Sequence, residues 1–452
     1  MKRSNSRSSL AAERGLQSTA IQVRGKLTRI VRTPTRLLFE RCHGLKSAIR
    51  SGRQDMTSRS NWSLMLGASL DVGCWCLKLL LGLSLTPHLL FAEPIAPPQY
   101  QRVASGLDYA HIQTTNPWSI HIARWDRTHK EFELTTTLAK GTIQRLSPLS
   151  EQAKAVASRV GQPLAGVNGD FFVIKAGPYQ GDPQGLQILN GELVSVPSSV
   201  SFWTTPQDVH IGKVQSAMKV IWPDGRATPI GLNQAPRTNT AVLFSPMFGT
   251  STRATNMTEL VLENAGSKSW LPLHAGETFR ARVHSINSCG DSALLPYTIV
   301  LTLGEKLTNR LMSVSPGTLL QISTASSENL TRTTTALGGG PLLVHNGKPQ
   351  SWPPTKGTNS NLLPRHPRTA IGFNKNYFFL VEVDGRQNEL SVGMNYVELA
   401  GLMKSLGCTD AMNLDGGGSS TFWLNGKVMN SPSDKHERAL ANALFIVRKE
   451  NQ

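Results

Sequence analysis

Residues 411–424 read AMNLDGGGSSTFWL and place an amide, a carboxylate, three glycines and two hydroxyls between a helix-like stretch and a strand-like one. Each glycine loses much backbone entropy on folding, so a fold that keeps three in a row needs a positive φ or close approach of a ligand. Asn413 and Asp415 are two positions apart, which puts their side chains on one face of a strand end. A tight Asp-Gly hairpin turn would explain one or two of the glycines and leave the third without a purpose.

The glycine run is part of a set of sequence blocks that resemble the phosphodiester glycosidase family. In the family's order, the blocks are AGVNGDFF at 165–172, PRTAIGF at 367–373, VEVDGRQ at 381–387, MNYVELAGLMKSLGCTDAMNLDGGGSS at 394–420 and ERALANALFIV at 437–447. The resemblance implies a domain that hydrolyses sugar phosphodiesters. This chain departs from the family at Asp170, because the family usually has glycine at that position.

The distribution of apolar residues predicts an α+β fold that is rich in short strands, with extended or barrel-like sheet and a few helices. Residues 150–160, SEQAKAVASRV, predict one helix that stops at Gly161, and residues 396–406 predict a second that ends at Gly407. Strand-like pieces dominate from 163 to 345. Turn signals separate them at Asn190-Gly191, Asp224-Gly225 and Asn346-Gly347.

The charge of the chain is concentrated at its N-terminus. Residues 1–64 hold 14 Lys and Arg against 3 Asp and Glu, which is +11 of the formal net charge of +17. This composition predicts a basic disordered extension, or an upstream misassigned start with the true one at Met56 or Met65. Basic charge without interleaved aromatic residues is weak evidence for nucleic-acid binding, so no nucleic-acid partner is expected.

Residues 65–92 predict a signal peptide or a membrane anchor. Arg59 supplies a basic flank, and the apolar run CWCLKLLLGLSLTPHLLFA ends in the small residue Ala92, which predicts cleavage near that position. Cleavage would leave residues 93–452 as an exported domain that is periplasmic, attached to the cell envelope or secreted. An uncleaved anchor is the alternative and would be the chain's membrane contact.

Removal of this leader would leave two cysteines, Cys289 and Cys408. They permit one disulfide, but their spacing does not show whether they meet. A metal site built from them is not expected, because no pair of cysteines with CxxC spacing follows the leader.

The acid and base candidates follow from the leaving group of a sugar 1-phosphodiester. A phosphate monoester has a second pKa of about 6, so it leaves as a stable anion and needs charge stabilisation more than protonation. The catalytic candidates are Asp415, Asp384 and Glu398. Glu398 lies in the first turn of the second predicted helix, where favourable placement against the helix dipole is the alternative role. Glu382 shares a strand face with Asp384, and its role stays open.

The substrate-binding candidates are groups that hold phosphate oxygens or orient sugar hydroxyls. Arginine binds phosphate through two parallel hydrogen bonds, and glycine-rich backbone brings N–H groups close to an anion. The runs at 338–340 and 416–418 can both do so, and neither is followed by Gly-Lys-Ser/Thr, which disfavours a nucleotide triphosphatase. The candidates are Arg368, Arg386 and Arg438 for phosphate, and Asn168, Asp170, Asn413, Gly416, Gly417, Gly418 and Ser419 for the rest of the site.

No cofactor is certain from the sequence. Asp415, Asp384, Asn413 and Asp170 would supply hard oxygen ligands to Ca²⁺ or Mg²⁺, and the same residues suit a metal-free glycosidase equally well. Two other function classes stay open. One is a metal-assisted phosphodiesterase that cleaves the P–O bond. The other is a non-catalytic glycan-binding module of the envelope, which would stack sugars on Trp118, Trp203, Trp352 and Trp423.

Overall fold

The structure is a computed structural model that describes residues 95–157, 160–352 and 364–449. The predicted basic extension over 1–64 and the predicted leader over 65–92 lie outside the described residues, as do the candidate starts at Met56 and Met65. Within the described part of the chain, no helix is both long enough and apolar enough to span a membrane.

Short strands account for most of the regular structure. The strands before the middle of the chain are β1 (Gln101–Ala104), β2 (Leu107–Gln113), β3 (Ser119–Asp126), β4 (Phe132–Thr136), β5 (Gly161–Asn168), β6 (Gln187–Leu189), β7 (Glu192–Ser195), β8 (Val200–Thr204) and β9 (Val209–Lys213). The next group is β10 (Lys219–Ile221), β11 (Ala227–Leu232), β12 (Ala241–Phe244), β13 (Thr258–Asn264), β14 (Thr278–Asn287), β15 (Ile299–Leu303) and β16 (Leu319–Ser323). The last group is β17 (Thr335–Gly339), β18 (Leu342–His345), β19 (Lys348–Pro349), β20 (Arg368–Phe373), β21 (Tyr377–Val383), β22 (Asp410–Asn413), β23 (Phe422–Leu424), β24 (Lys427–Val428) and β25 (Ala443–Lys449).

Strands β10 to β16 form a closed barrel in the order β10-β11-β12-β15-β13-β14-β16. They interrupt a five-stranded sheet, β7-β6-β17-β8-β9, between its strands β9 and β17, so the barrel is an insertion in that sheet. An eight-stranded sheet has the order β1-β2-β3-β21-β20-β22-β18-β19, and a second five-stranded sheet has the order β24-β23-β5-β25-β4. The predicted β-rich α+β fold with barrel-like sheet is confirmed.

The two predicted helices are present as α1 (Leu149–Ala157) and α2 (Tyr396–Ser405). The Asn395 side chain accepts a hydrogen bond from the Glu398 N–H and the Glu398 carboxylate accepts one from the Asn395 N–H, so a capping box begins α2. Gly407, at φ +81°, follows its end. The three predicted Asx-Gly turns connect β6 to β7, β10 to β11 and β18 to β19.

The eight-stranded sheet is covered on both faces. Val381 and Val383 of β21 pack with Leu399 of α2, whereas Leu380 faces the core shared with the two five-stranded sheets. Since side chains alternate along a strand, Glu382 points with Leu380 towards this inner core. A carboxylate therefore lies on the inner face of the eight-stranded sheet.

The two cysteines of the described domain do not pair. Cys289 is exposed, Cys408 is buried against α2, and both are free thiols. The disulfide that the cysteine count permits is absent from the described residues, because one thiol faces solvent and the other lies in the core.

Strand pairing gathers the candidate residues at one end of the sheets. Antiparallel pairing sets Arg368, the first residue of β20, opposite Val383, the last residue of β21. Asn413 ends β22, which pairs with β20, and Asn168 ends β5 in the neighbouring sheet. The loops that follow these strand ends carry the predicted functional residues.

Candidate functional site

Asn168 is fully buried at the end of β5, and its amide joins three segments of the chain. Its Oδ1 accepts hydrogen bonds from Thr369 Oγ1 at 2.6 Å and from the Thr421 N–H at 3.1 Å. Its Nδ2 donates to the main-chain oxygen of Asp415 at 2.7 Å, and the Asp415 N–H donates to the Gly169 carbonyl at 3.0 Å. Asn168 thus holds residues 416–418, the glycine loop, in place, and its predicted role in orienting the sugar stays a prediction.

Two arginine side chains occupy the space that side chains at two of the loop glycines would fill. A Cβ on Gly417, which has φ +64°, would lie 2.9 Å from Nη2 of Arg386, a distance that real Cβ atoms essentially never show. A Cβ on Gly418 would collide with Nη2 of Arg438. Both guanidinium groups therefore pack directly against the backbone of the loop, and a side chain at either glycine would displace them.

Arg368 is held by the protein itself. Its Nε donates to the Met394 carbonyl at 2.9 Å, Nη2 donates to the Pro364 carbonyl at 3.2 Å, and the guanidinium carbon lies 4.0 Å from the centroid of the Tyr396 ring. Burial lowers the pKa of this guanidinium, and the nearby charge of Arg386 acts in the same direction. The phosphate role of Arg368 stays a prediction, whereas these contacts fix the chain beside the glycine loop.

Arg438 and Arg386 are the more accessible guanidinium groups. Arg438 donates from Nε and Nη2 to one oxygen of Asp434, at 3.0 and 2.7 Å, and from Nη1 to Ser419 Oγ at 3.3 Å. Arg386 is exposed and has φ +63°, an uncommon value for a residue with a side chain. The loop thus has two arginines that solvent can reach, with Asp434 as an acidic neighbour that sequence reasoning missed.

Asp415 is the partly exposed carboxylate beside this loop. Its Oδ1 accepts a hydrogen bond from the Gly416 N–H at 2.8 Å. Partial burial raises the pKa of Asp415, while the Ser419 hydroxyl, the Gly416 N–H and the charge of Arg438 oppose the rise. A carboxylate, two solvent-accessible guanidinium groups and a glycine backbone therefore meet at one point of the surface.

Asp170 is buried in a space that two glycines leave open. Its Oδ1 accepts from the Phe171 N–H and its Oδ2 from the Gly185 N–H, each at 2.7 Å. A Cβ on Gly338 would collide with its Oδ2. Burial raises the pKa of Asp170 to about 7, and the charge of Asp415 adds to the rise. Asp170 is therefore an interior carboxylate whose ionisation is disfavoured by burial and by the charge of Asp415.

Asp182 is a second interior carboxylate, which the sequence did not single out. Its Oδ1 is buried without a hydrogen-bond partner among the described residues. Burial raises the pKa of Asp182 to about 8, and the charge of Asp170 adds to the rise. Its sequence signal was weak, since Gly181-Asp182-Pro183 has the composition of an ordinary turn.

Asp384 lies in a different environment from Asp415. It is buried, and its Oδ2 accepts from Ser119 Oγ at 2.9 Å and lies 3.5 Å from His121 Nε2, while its Oδ1 accepts from the Ser431 N–H at 2.8 Å. The structure groups Asp384 with His121 and Glu382. Its predicted catalytic role stays a prediction, since these contacts place the carboxylate inside the domain.

One residue of the ligand set predicted for Ca²⁺ or Mg²⁺, Asp384, lies in a different group of ionisable side chains. Among the described residues, Asp384 forms a potential metal-binding group with His121 and Glu382, and Asp415 and Asp170 are not members of it. Asp384 is buried directly after β21, whereas Asp415 follows β22 and is only partly buried. Binding of Ca²⁺ or Mg²⁺ stays a prediction.

Glu398 is occupied by contacts at the start of α2. Its carboxylate caps the Asn395 N–H and accepts hydrogen bonds from Arg365 Nε and Nη2. The alternative reading of Glu398 as a helix-start residue agrees with these contacts. Its catalytic role stays a prediction, and the geometry favours a role in fixing the helix.

His366 is a residue beside the glycine loop that the sequence did not single out. Its Nδ1 is buried and has no hydrogen-bond partner among the described residues. Burial lowers the pKa of His366, and the charges of Arg368 and Arg386 add to the decrease, so the imidazole is neutral at pH 7. Its position directly before the PRTAIGF block was the available signal.

Asn413 connects two glycine-rich segments. Its Nδ2 donates to the Gly340 carbonyl at 2.8 Å, and the Gly340 N–H donates to the Asn413 carbonyl at 2.7 Å. Its Oδ1 is buried without a partner in the described part of the chain. The run at 338–340 therefore packs against the strand end that leads into the loop at 416–418.

The tryptophans proposed for sugar stacking are mostly interior. Trp118, Trp203 and Trp423 are buried in the hydrophobic core, and Trp352 is half-buried against Tyr396. Side chains that fill the core have no free face for a sugar ring, so the structure does not support the tryptophan platform of the glycan-binding alternative.

Comparison with known proteins agrees with the motif analysis. Residues 285–447 match the phosphodiester glycosidase family. A segment of 105 residues is 38% identical to the SPbeta prophage-derived uncharacterized protein YomE of Bacillus subtilis and covers 23% of this chain and 16% of that protein. A segment of 68 residues is 43% identical to the N-acetylglucosamine-1-phosphodiester alpha-N-acetylglucosaminidase of Bos taurus and covers 15% of this chain and 12% of that protein. The resemblance to the phosphodiester glycosidase family is confirmed, over a small part of these relatives' length.

Two solved structures share the fold. A hypothetical protein from Synechocystis has a TM-score of 0.62 at 17% identity, with 78% of this chain and 64% of that chain covered. A putative exported protein from Burkholderia pseudomallei has a TM-score of 0.59 at 22% identity, with 74% and 75% covered. At these identities the likeness shows the fold alone.

The burial of the Asp182 carboxyl leads to a prediction about how the free energy of unfolding depends on pH. The unfolded chain loses this proton near the ordinary value of 3.8, whereas the folded chain keeps it up to about pH 8. Between those values the folded state binds more protons, so the contribution of this carboxyl to stability falls as the pH rises. We expect Asp182→Asn, which cannot ionise, to exceed the wild type in unfolding free energy at pH 8 by at least ~1 kcal/mol, with the difference shrinking towards pH 4.

Urea unfolding at both pH values measures this effect. The matched control is Asp224→Asn at an exposed turn of the barrel, which should give no gain that depends on pH. A gain for Asp182→Asn that is equal at pH 4 and pH 8 would contradict the assignment.

Proposed function

We propose that the protein hydrolyses a sugar 1-phosphodiester at the glycosidic C–O bond and releases the sugar and a phosphomonoester. The observation that carries this proposal is the packing of Arg386 and Arg438 against residues 416–418, directly after the partly exposed Asp415. Guanidinium groups and glycine backbone match the phosphate, and the carboxylate matches the need for a base on the sugar side. The match of residues 285–447 to the phosphodiester glycosidase family supports the same reaction class.

In the proposed reaction a water molecule bonds to the anomeric carbon while the bond from that carbon to the bridging oxygen breaks. The electron pair of the broken bond stays on the phosphate, and Asp415 accepts the proton that the water loses. The phosphomonoester gains one negative charge, which Arg386 and Arg438 stabilise. Because its second pKa is about 6, this leaving group needs no strong general acid.

Two unpaired polar atoms suit the rest of the substrate. His366 Nδ1 and Asn413 Oδ1 are buried without hydrogen-bond partners among the described residues. Buried polar atoms are rarely left unpaired in folded proteins, so a ligand is one natural source of their partners. As a neutral imidazole, His366 can bind a hydroxyl without adding charge.

The reaction is tested with the full-length chain on a panel of sugar 1-phosphodiesters, with mass spectrometry of the released sugar and phosphomonoester. We expect turnover of one sugar class and a loss of about 10²- to 10⁴-fold in Asp415→Asn, the range typical of a lost general base. Asp224→Asn, in the barrel, is the control and should retain full turnover. Failure to release both products from any sugar would contradict the proposal and favour a glycan-binding module.

We also propose that this activity is exported, with the leader over 65–92 as the sole support. N-terminal sequencing of the protein recovered from its source compartment tests this directly. A chain that starts at residue 93 is expected, and a recovered chain that still begins upstream of residue 65 would contradict cleavage.

The glycine loop makes a prediction about Gly417→Ala. A Cβ at φ +64° costs on the order of 1–2 kcal/mol in backbone strain. It would also push the Arg386 guanidinium away from the loop, and a catalytic group misplaced by about 1 Å can cost ~100-fold in rate. We expect a mostly folded protein with a melting temperature lowered by several degrees and turnover lowered by ~100-fold. Wild-type turnover per folded molecule would contradict this prediction and indicate that the loop is an ordinary turn without a role in catalysis.

Glu398 gives a prediction that separates capping from catalysis. Glutamine at this position can keep the capping box, so Glu398→Gln should keep its turnover and lose less than ~1 kcal/mol of stability with the Arg365 ion pair. Turnover of the variant on the best substrate of the panel is the measurement. A loss of turnover comparable with that of Asp415→Asn would contradict the capping role and support a catalytic role for Glu398.

A further inference from the structure

A second group of polar residues lies on the inner face of the eight-stranded sheet. His121 of β3 and Glu382 of β21 are direct cross-strand partners, and Asp384 follows two positions later on the same face. All three side chains are buried, with exposures of 3%, 0% and 1%. One ligand atom from each residue lies within 4.8 Å of the other two.

The Glu382 carboxylate is the unexplained member of this group. Neither of its oxygens makes a hydrogen bond of good geometry among the described residues, although the side chain is fully buried and the Asn430 amide lies close enough to lower the pKa of the carboxyl. The charged neighbour that acts on it most is Asp384, which is also a carboxylate. A buried carboxylate is costly unless a proton or a cation compensates it, and two of them side by side cost more.

The surrounding groups orient the His121 and Asp384 side chains towards a common point. Tyr109 Oη lies 2.8 Å from His121 Nδ1, which leaves Nε2 facing Asp384 Oδ2 at 3.5 Å. Ser119 Oγ and the Ser431 N–H donate to the two oxygens of Asp384. Such outer hydrogen bonds fix the ring and the carboxylate of metal ligands in many proteins.

We propose that His121, Glu382 and Asp384 bind one divalent cation of the Zn²⁺ or Mn²⁺ class. Metal–ligand bonds of about 2.0–2.2 Å place ligand atoms roughly 3–4 Å apart, so the three side chains, whose ligand atoms now lie within 4.8 Å, would move closer together on binding. One imidazole nitrogen with two carboxylate oxygens suits these ions better than Ca²⁺ or Mg²⁺, which take oxygen ligands. The charge of +2 balances the two carboxylates in a site that has almost no solvent contact.

The site is structural and is separate from the proposed chemistry at Asp415. The His121 ring stacks on His111 with centroids 4.3 Å apart and lies 5.8 Å from the Phe422 ring, so aromatic groups enclose it. Asp384 also begins the loop that carries Arg386, and its main-chain oxygen accepts a hydrogen bond from Ser391 Oγ. A cation here would fix the base of that loop, and its binding does not depend on the proposed activity.

The test uses the full-length chain purified without a metal-affinity tag and analysed for Zn²⁺ and Mn²⁺ by mass spectrometry. We expect about one equivalent of metal per chain in the wild type, together with a higher melting temperature after refolding with Zn²⁺ than after refolding with a chelator. In Glu382→Gln, which keeps the size of the side chain and removes a ligand charge, Zn²⁺ affinity should fall by at least ~100-fold. Co²⁺ should give a visible absorption band in the wild type and not in the variant.

Glu263→Gln is the matched control, because Glu263 forms an exposed pair with His284 on the barrel. This variant should bind Zn²⁺ as the wild type does. Equal Zn²⁺ content in Glu382→Gln and the wild type would overturn the proposal. An unchanged wild-type melting temperature with and without Zn²⁺ would overturn it as well, and this second measurement needs no variant to fold.

Discussion

The side-chain amide of Asn168 is the contact on which the candidate site depends. It is the last residue of β5, and it forms hydrogen bonds with Thr369 of the eight-stranded sheet, with the Thr421 N–H and with the backbone of Asp415. An amide has both donors and an acceptor, so one buried side chain can satisfy groups from three segments at once. Replacement by an apolar side chain would leave these buried partners unpaired, at about 1–3 kcal/mol for each. The buried hydrogen bonds of Asn168 therefore determine the position of the glycine loop, and the loop in turn positions the groups of the candidate site.

The glycine loop has a low intrinsic stability and lies next to several charged side chains. Glycines at 416–418 lower the intrinsic stability of the loop but let Arg386 and Arg438 approach its backbone closely. The two arginines carry positive charge next to Asp415, while Asp170 lies behind with a pKa near 7. The positive charge of the two arginines favours an anionic ligand, and the Asp415 carboxylate beside them can act as a base.

Local signals in the sequence are sufficient to predict the helices and the hairpin turns. They do not show which strands pair over long distances along the chain. The capping residues of α2 and the Asx-Gly turns act over a few positions, so the sequence predicts them well. The same sequence could not show that the barrel is an insertion, because its closure joins β10 to β16 across about a hundred residues. It named Asp384 and Glu382 but not His121, which meets them only through the register of β3 against β21. For the same reason the burial of Asp182 and the position of His366 beside two arginines appear only in the folded chain.

In the proposed reaction the sugar–oxygen bond breaks and the phosphorus–oxygen bond does not. Hydrolysis in ¹⁸O-labelled water, followed by mass spectrometry of the phosphomonoester, tests it directly. We expect a phosphomonoester without label, because in this reaction the water oxygen bonds to the anomeric carbon. A phosphomonoester that carries one ¹⁸O atom would show attack at phosphorus, contradict the proposed glycosidase reaction and establish a phosphodiesterase in its place.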